Sequence, residues 1–114
     1  MRLLVCGGRS YSDRQKLFAA LDAIHAATPV TVLIHGGASG ADTLAGEWAA
    51  LRGILVQVFE ADWGSHGRAA GPIRNGAMLK EGRPDLVAGF PGGPGTKNMT
   101  SQARTAGVRV VEIA

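Results

Sequence analysis

Three glycine-rich turns hold the residues best suited to chemistry: Cys6-Gly7-Gly8-Arg9-Ser10, His35-Gly36-Gly37-Ala38-Ser39-Gly40-Ala41-Asp42 and Pro91-Gly92-Gly93-Pro94-Gly95-Thr96. Each directly follows a short apolar run and leads into a helical pattern. Glycine in a strand-to-helix turn permits positive φ and lets a ligand approach bare backbone, while the helix behind it presents unpaired N–H groups and the positive end of its dipole. That is the chemistry of holding an anion, and a phosphate-bearing ligand is the leading inference.

Within these turns, Gly92, Gly93, Gly95 and Thr96 are placed to cradle a phosphate; the competing reading is a tight turn with Thr96 as an ordinary N-cap. Gly7, Gly8, Arg9 and Ser10 follow the first strand. Arg9 is the best candidate for a charge-assisted contact worth about 1.5–3 kcal/mol, against the alternative of a solvated loop arginine. Gly36, Gly37, Ala38 and Gly40 precede Asp42, the one acid inside a glycine turn. Its carboxylate suits a ribose hydroxyl or the role of general base, and favourable interaction with a helix start explains it as well. Arg74 and Asn75 offer a second phosphate or base contact, unless Arg74 instead pairs with Asp62 or Asp42. Asp42 and Asp62 are the weak catalytic candidates, and whether the chain is an enzyme stays open.

Other residues support less. Trp63, in a polar loop, either stacks on a base or pins that loop to the body of the domain. Trp48 is core or a dimer contact, and Phe90 is core. His35 and His66 lack the neighbours of a metal site, so no metal is expected. The single cysteine, Cys6, excludes an internal disulfide and reads as a small buried hydrophobe. No turn has glycines at the first, third and sixth positions required of a dinucleotide fingerprint, and no Gly-Lys pair closes a Walker loop. Nicotinamide, flavin and nucleoside-triphosphatase chemistry are therefore disfavoured, and no cofactor beyond a nucleotide-like ligand is expected.

The elements that must position these turns follow from periodicity. Apolar runs at Leu3–Cys6, Val30–Ile34, Ile54–Phe59, Leu86–Phe90 and Val108–Ile113 predict strands. Helical spacing predicts helices over Asp13–Ala27, capped by Ser12 or Ser10, then Ala41–Arg52, Gly71–Lys80 and Thr96–Ala106; Glu60–Gly71 is read as irregular. Regular alternation predicts an α/β, Rossmann-like three-layer sandwich. It has a five-stranded parallel sheet in the order 3-2-1-4-5, with four right-handed crossover helices. That order sets the loops after the first and fourth strands on either side of the switch point where ligands of open sheets settle.

With 114 residues, 46% hydrophobic and 18% charged, the chain fits one domain, 1–114. The first apolar run is far shorter than the ~7–15-residue core of a signal peptide or the ~20 residues of a membrane span, so a cytoplasmic protein is expected. Net charge is +3, and nine of the twelve basic residues are arginine, which favours an anionic partner. Nucleic acid is allowed rather than indicated, since the excess is modest.

Together, Cys6-Gly7-Gly8-Arg9, the Gly36 to Asp42 block, Gly71-Pro72-Ile73-Arg74-Asn75 and Pro91 to Thr96 resemble the YspA/YpsA-related branch of the SLOG superfamily. The resemblance spans nearly the whole chain. It implies a Rossmann-like domain binding a nucleotide or nucleotide-derived ligand, in a crevice formed by residues 7–10, 35–42, 62–75 and 91–97. Pro91 to Thr96 looks like the phosphate loop of the LONELY GUY phosphoribohydrolases, and Gly37 to Asp42 like a turn of the DNA-processing members. Where the former carry a catalytic glutamate, three residues beyond the threonine, this chain has Met99. A sensor or binding domain is thus the first reading, with a nucleotide-processing hydrolase or single-stranded nucleic-acid binding as alternatives. Relatives commonly pair, so a homo-oligomer is expected, with the apolar face of the second helix as its first candidate contact.

Overall fold

A computed structural model describes all residues, 1–114. Strands β1 (Arg2–Cys6), β2 (Val32–His35), β3 (Leu55–Val58), β4 (Leu86–Gly89) and β5 (Arg109–Glu112) form one sheet in the order β3-β2-β1-β4-β5. Every neighbouring pair is parallel. The crossovers are α1 (Arg14–Ala27), α2 (Ala41–Leu51), α4 (Ala70–Lys80) and α5 (Pro94–Thr105). This is the predicted Rossmann-like layout. A single helical turn, α3 (Trp63–His66), and a 3-10 turn (Gly67–Ala69) fill the stretch expected to be irregular. Asp62 initiates α3 by accepting the Ser65 N–H at 3.1 Å.

Alternation along β1 divides the core. Leu3 and Val5 face α1 and α2 in a cluster with Leu17, Leu21, Leu33, Trp48 and Phe90. Leu4 and Cys6 face the opposite layer, with Ile34, Val87, Met78 of α4 and Met99 and Ala103 of α5. Side chains of a strand point alternately to the two faces, so the central strand of a doubly covered sheet must be apolar at every position. Leu3, Leu4 and Val5 are accordingly fully buried.

The helices correct the sequence reading in three places. Asp13, not Ser12 or Ser10, caps α1, its carboxylate accepting the Lys16 N–H at 3.1 Å. Helix α5 starts at Pro94, so Thr96 lies inside its first turn and is not the N-cap; proline, with no N–H to satisfy, suits that first position. The apolar face of α2 is not a free contact surface. Trp48 is fully buried, and its indole N–H donates to Asp22 at 2.8 Å, a carboxylate that Arg52 grips with two further bonds. No helix is long and apolar enough to cross a membrane.

Candidate functional site

The three glycine turns meet at the C-terminal edge of the sheet and are tied to one another by backbone. Gly8 N–H donates to Pro91 O at 2.9 Å, joining the first turn to the third. Gly8 O accepts from Ala41 N–H at 3.2 Å, and Arg9 O from the Ser39 hydroxyl at 3.1 Å, joining the first to the second. Such close passage needs glycine at Gly40, whose φ is +76° and whose added Cβ would strike Gly8 O and the Arg9 carbonyl.

Beside this junction lies a cavity of about 610 Å³, within the range of small-molecule sites. Its floor is apolar, made by Cys6, Met78 and Met99. One wall is the start of α5, with Gly93, Gly95 and Thr96; facing it are Gly7, Gly8, Ala38 and Asp42. Arg74 and Asn75 of α4 line it, as do Arg9, Trp63 and Arg68. Five of the ligand-binding candidates stand outside. Ser10 and Gly92 border a shallower depression on the other side of the Gly8 backbone. Gly36, Gly37 and Gly40 are absent from the lining because they pack against protein instead.

The second turn already holds an anion, and that anion is Asp42. One carboxylate oxygen, Oδ2, accepts the N–H groups of Gly36 (3.1 Å) and Ala38 (3.2 Å), while Gly37 N–H donates to His35 Nδ1 at 2.9 Å. The Gly36, Gly37 and Ala38 amides are thereby satisfied from within the chain. Expected ligand contacts from Gly36 and Gly37 backbone are corrected accordingly: their donors are occupied. Oδ1 of Asp42 has no hydrogen-bond partner, and the residue borders the cavity. Burial pushes the Asp42 carboxyl above the usual range, against the opposing pull of the Ala38 amide, His35 and Arg74. Burial likewise pushes the His35 imidazole below its ordinary value, which suits a ring nitrogen that must stay unprotonated to accept from Gly37.

The third turn is the opposite case. No side chain caps α5, and the Gly95 and Thr96 N–H groups have no acceptor in the chain. Thr96 borders the cavity, and its hydroxyl, which lies against Gly92, makes no hydrogen bond within the chain. Asn75, 3% exposed, holds this end in place, its amide donating to Gly95 O (3.3 Å) and Asn98 Oδ1 (3.1 Å). Gln102 reinforces Asn98 at 2.7 Å.

Arg74 forms neither of the ion pairs considered for it. Its Nη1 donates to Gly36 O at 2.6 Å and its Nε to Asn75 Oδ1 at 3.0 Å, bracing the second turn against α4. A Cβ on Gly36 would collide with that guanidinium. Arg9 is exposed and lies over the Trp63 ring, 5.2 Å from its centroid, so both form the mouth of the cavity. Asp62 is not on the lining: it caps α3, and bonds from Ser65 hold its carboxyl below the usual value. Cys6, at the floor, is pushed up to about 12 by burial and then by the charges of Asp42 and Glu112, so it is a neutral thiol. Arg68 lines the cavity as part of the 62–75 stretch expected there, whereas Asn98 and Met78 were missed; only Asn98, one turn beyond Gly95, had a legible signal in its spacing.

The class these features define is a Rossmann-like domain with its crevice at the sheet's switch point. Residues 1–66 match the model of the YspA, cpYpsA-related SLOG family. The chain is also 36% identical, over 118 aligned positions, to the Gene 61 protein of Mycobacterium phage D29; the match covers 96% of this chain and 94% of that one. The chain belongs to the YspA, cpYpsA-related SLOG family. The third glycine turn and α5 lie beyond the matched segment, so their role rests on the geometry above.

Proposed function

We propose that this protein binds a nucleotide or nucleotide-derived phosphorylated ligand in the cavity at the C-terminal edge of its sheet, acting as a sensor or binding domain. One observation carries the reading: the unpartnered N-terminus of α5 opens into the same cavity as Arg9, Arg68 and Arg74. Amides at a helix start and arginine forks are complementary to phosphate oxygens. The apolar floor and the Trp63 ring at the mouth suit a base, and Asp42 Oδ1 is an acceptor for a sugar hydroxyl.

A thermal-shift screen over mononucleotides, cyclic nucleotides and ADP-ribose derivatives tests this. A ligand at about 100 times its Kd adds ~2.7 kcal/mol, a melting rise on the order of ten degrees for a domain this size. Absence of any shift with every phosphorylated nucleoside refutes the proposal. A hydrolase reading is favoured by one feature, the buried Asp42 carboxylate with a free oxygen at the cavity. It requires turnover of a bound nucleotide that Asp42→Asn abolishes while binding survives. Met99, where related phosphoribohydrolases place a glutamate, speaks for binding without that hydrolysis.

A further inference from the structure

We propose that the β3 edge of the sheet is a self-pairing surface, joining two copies of this chain through antiparallel β3 strands into one continuous ten-stranded sheet. The two edges of the sheet differ in kind. At the β5 edge, Arg109 and Glu112 are charged, and Glu112 is bridged by Arg104 at 3.1 Å; charge is a common device against edge-to-edge pairing. The β3 edge has no such device. From Gly53 to Phe59 there is no charged residue and no proline. Leu55 is 75% exposed, Val58 47% and Val56 38%, and Leu51, at the end of the adjoining α2, is 64% exposed. These four side chains leave roughly 400 Å² open on each copy, about half of the ~800 Å² per partner in a standard interface, with strand backbone and flanks supplying more.

Backbone polarity selects the occupant and the register. Phe59 N–H donates to His35 O, so alternation turns the peptide groups of Leu55, Gln57 and Phe59 toward β2 and those of Val56 and Val58 outward. Ile54 N–H is already bonded to Ala49 O. A two-fold axis at Gln57 sets Val56 of each copy opposite Val58 of the other, so both outward residues exchange their N–H and C=O groups. Charge adds nothing to this match, since Arg52, which precedes the strand, is already gripped by Asp22. The match is one of backbone register, and a parallel copy, which no two-fold axis relates, does not gain it. The two cavities then open on opposite edges of the joined sheet and stay accessible, so dimerisation and ligand binding are separable.

Sedimentation equilibrium from about 1 to 200 μM is expected to show a dimer. Val56→Pro removes one outward N–H without touching the β2 ladder and is expected to give a folded monomer. Val111→Lys, on the opposite edge, leaves the dimer intact. Gln57→Cys gives a register test that needs no disruption of the edge: on oxidation it forms a disulfide-linked dimer, whereas Val58→Cys does not. A wild-type monomer across the whole range overturns the proposal. So does a dimer that forms no Gln57→Cys cross-link, or one that survives Val56→Pro. Ligand binding by the monomeric variant is expected to be unchanged, which keeps this test apart from that of the cavity.

Discussion

The second and third glycine turns look alike in sequence and differ in what their amides do. Around Gly36 and Gly37 the donors close on Asp42 and His35, within the protein. Around Gly95 and Thr96 they face a cavity with no partner. A glycine turn before a helix therefore specifies an anion nest without specifying whose anion fills it. A carboxylate in the first turn of the helix that follows, as Asp42 is in α2, makes the nest a structural joint. Its absence from α5, whose first turn holds no acid, leaves the amides there without a partner in the chain.

This contrast breaks if substitutions in the two turns behave alike. The largest effect is expected at Gly40→Ala, which must place a side chain at φ +76° and drive Cβ into Gly8 O and the Arg9 carbonyl. A loss of about 3 kcal/mol or more in urea unfolding is expected; a change within ~0.5 kcal/mol would show that the turns are not clasped as described. Next, Asp42→Ala orphans the Gly36 and Ala38 amides and is expected to cost about 2 kcal/mol, with Asp42→Asn costing less because one acceptor survives.

A smaller effect sharpens the same side of the comparison. Burial lowers the His35 pKa from its ordinary 6.5, so its contribution is complete above that value and lost as pH falls through the folded one. Melting curves from pH 7.5 to 5 should show a decline that His35→Asn flattens, since the asparagine oxygen accepts from Gly37 at any pH. A wild-type slope identical to that of the variant would count against the neutral imidazole. The smallest change in stability is expected in the third turn. Thr96→Val removes a hydroxyl that bonds nothing in the chain, so unfolding should shift by less than ~0.5 kcal/mol while affinity for a phosphorylated ligand drops roughly 3- to 10-fold. Calorimetric titration against the unfolding curve separates the two.

Much of the frame was legible in the sequence because its signals are local. Continuous apolar runs at Leu3–Cys6 and Leu86–Phe90 mark strands covered on both faces, and Gly53 and Gly107, at φ +69° and +77°, mark ends of helical segments. The α3 turn escaped because four residues, one of them Gly64, are too few to show a periodicity. The start of α5 escaped because Pro94 and Gly95 read as turn residues, although proline is at home in a helix's first turn. The apolar stripe of α2 was legible, but whether it met core or solvent depended on the position of α1, whose Asp22 takes the Trp48 indole.

By itself the sequence determined the alternation of strands and helices, the parallel sheet it implies and the three glycine-rich turns at strand ends, since hydrophobic period and glycine placement are properties of neighbouring residues. Only the tertiary structure decided that Asp42 fills one nest while α5 keeps another open, that Arg74 braces Gly36 rather than pairing with an acid, and that β3 is left as an apolar edge. Each of these depends on which atoms of distant segments come within bonding distance, and the order β3-β2-β1-β4-β5 sets those neighbours.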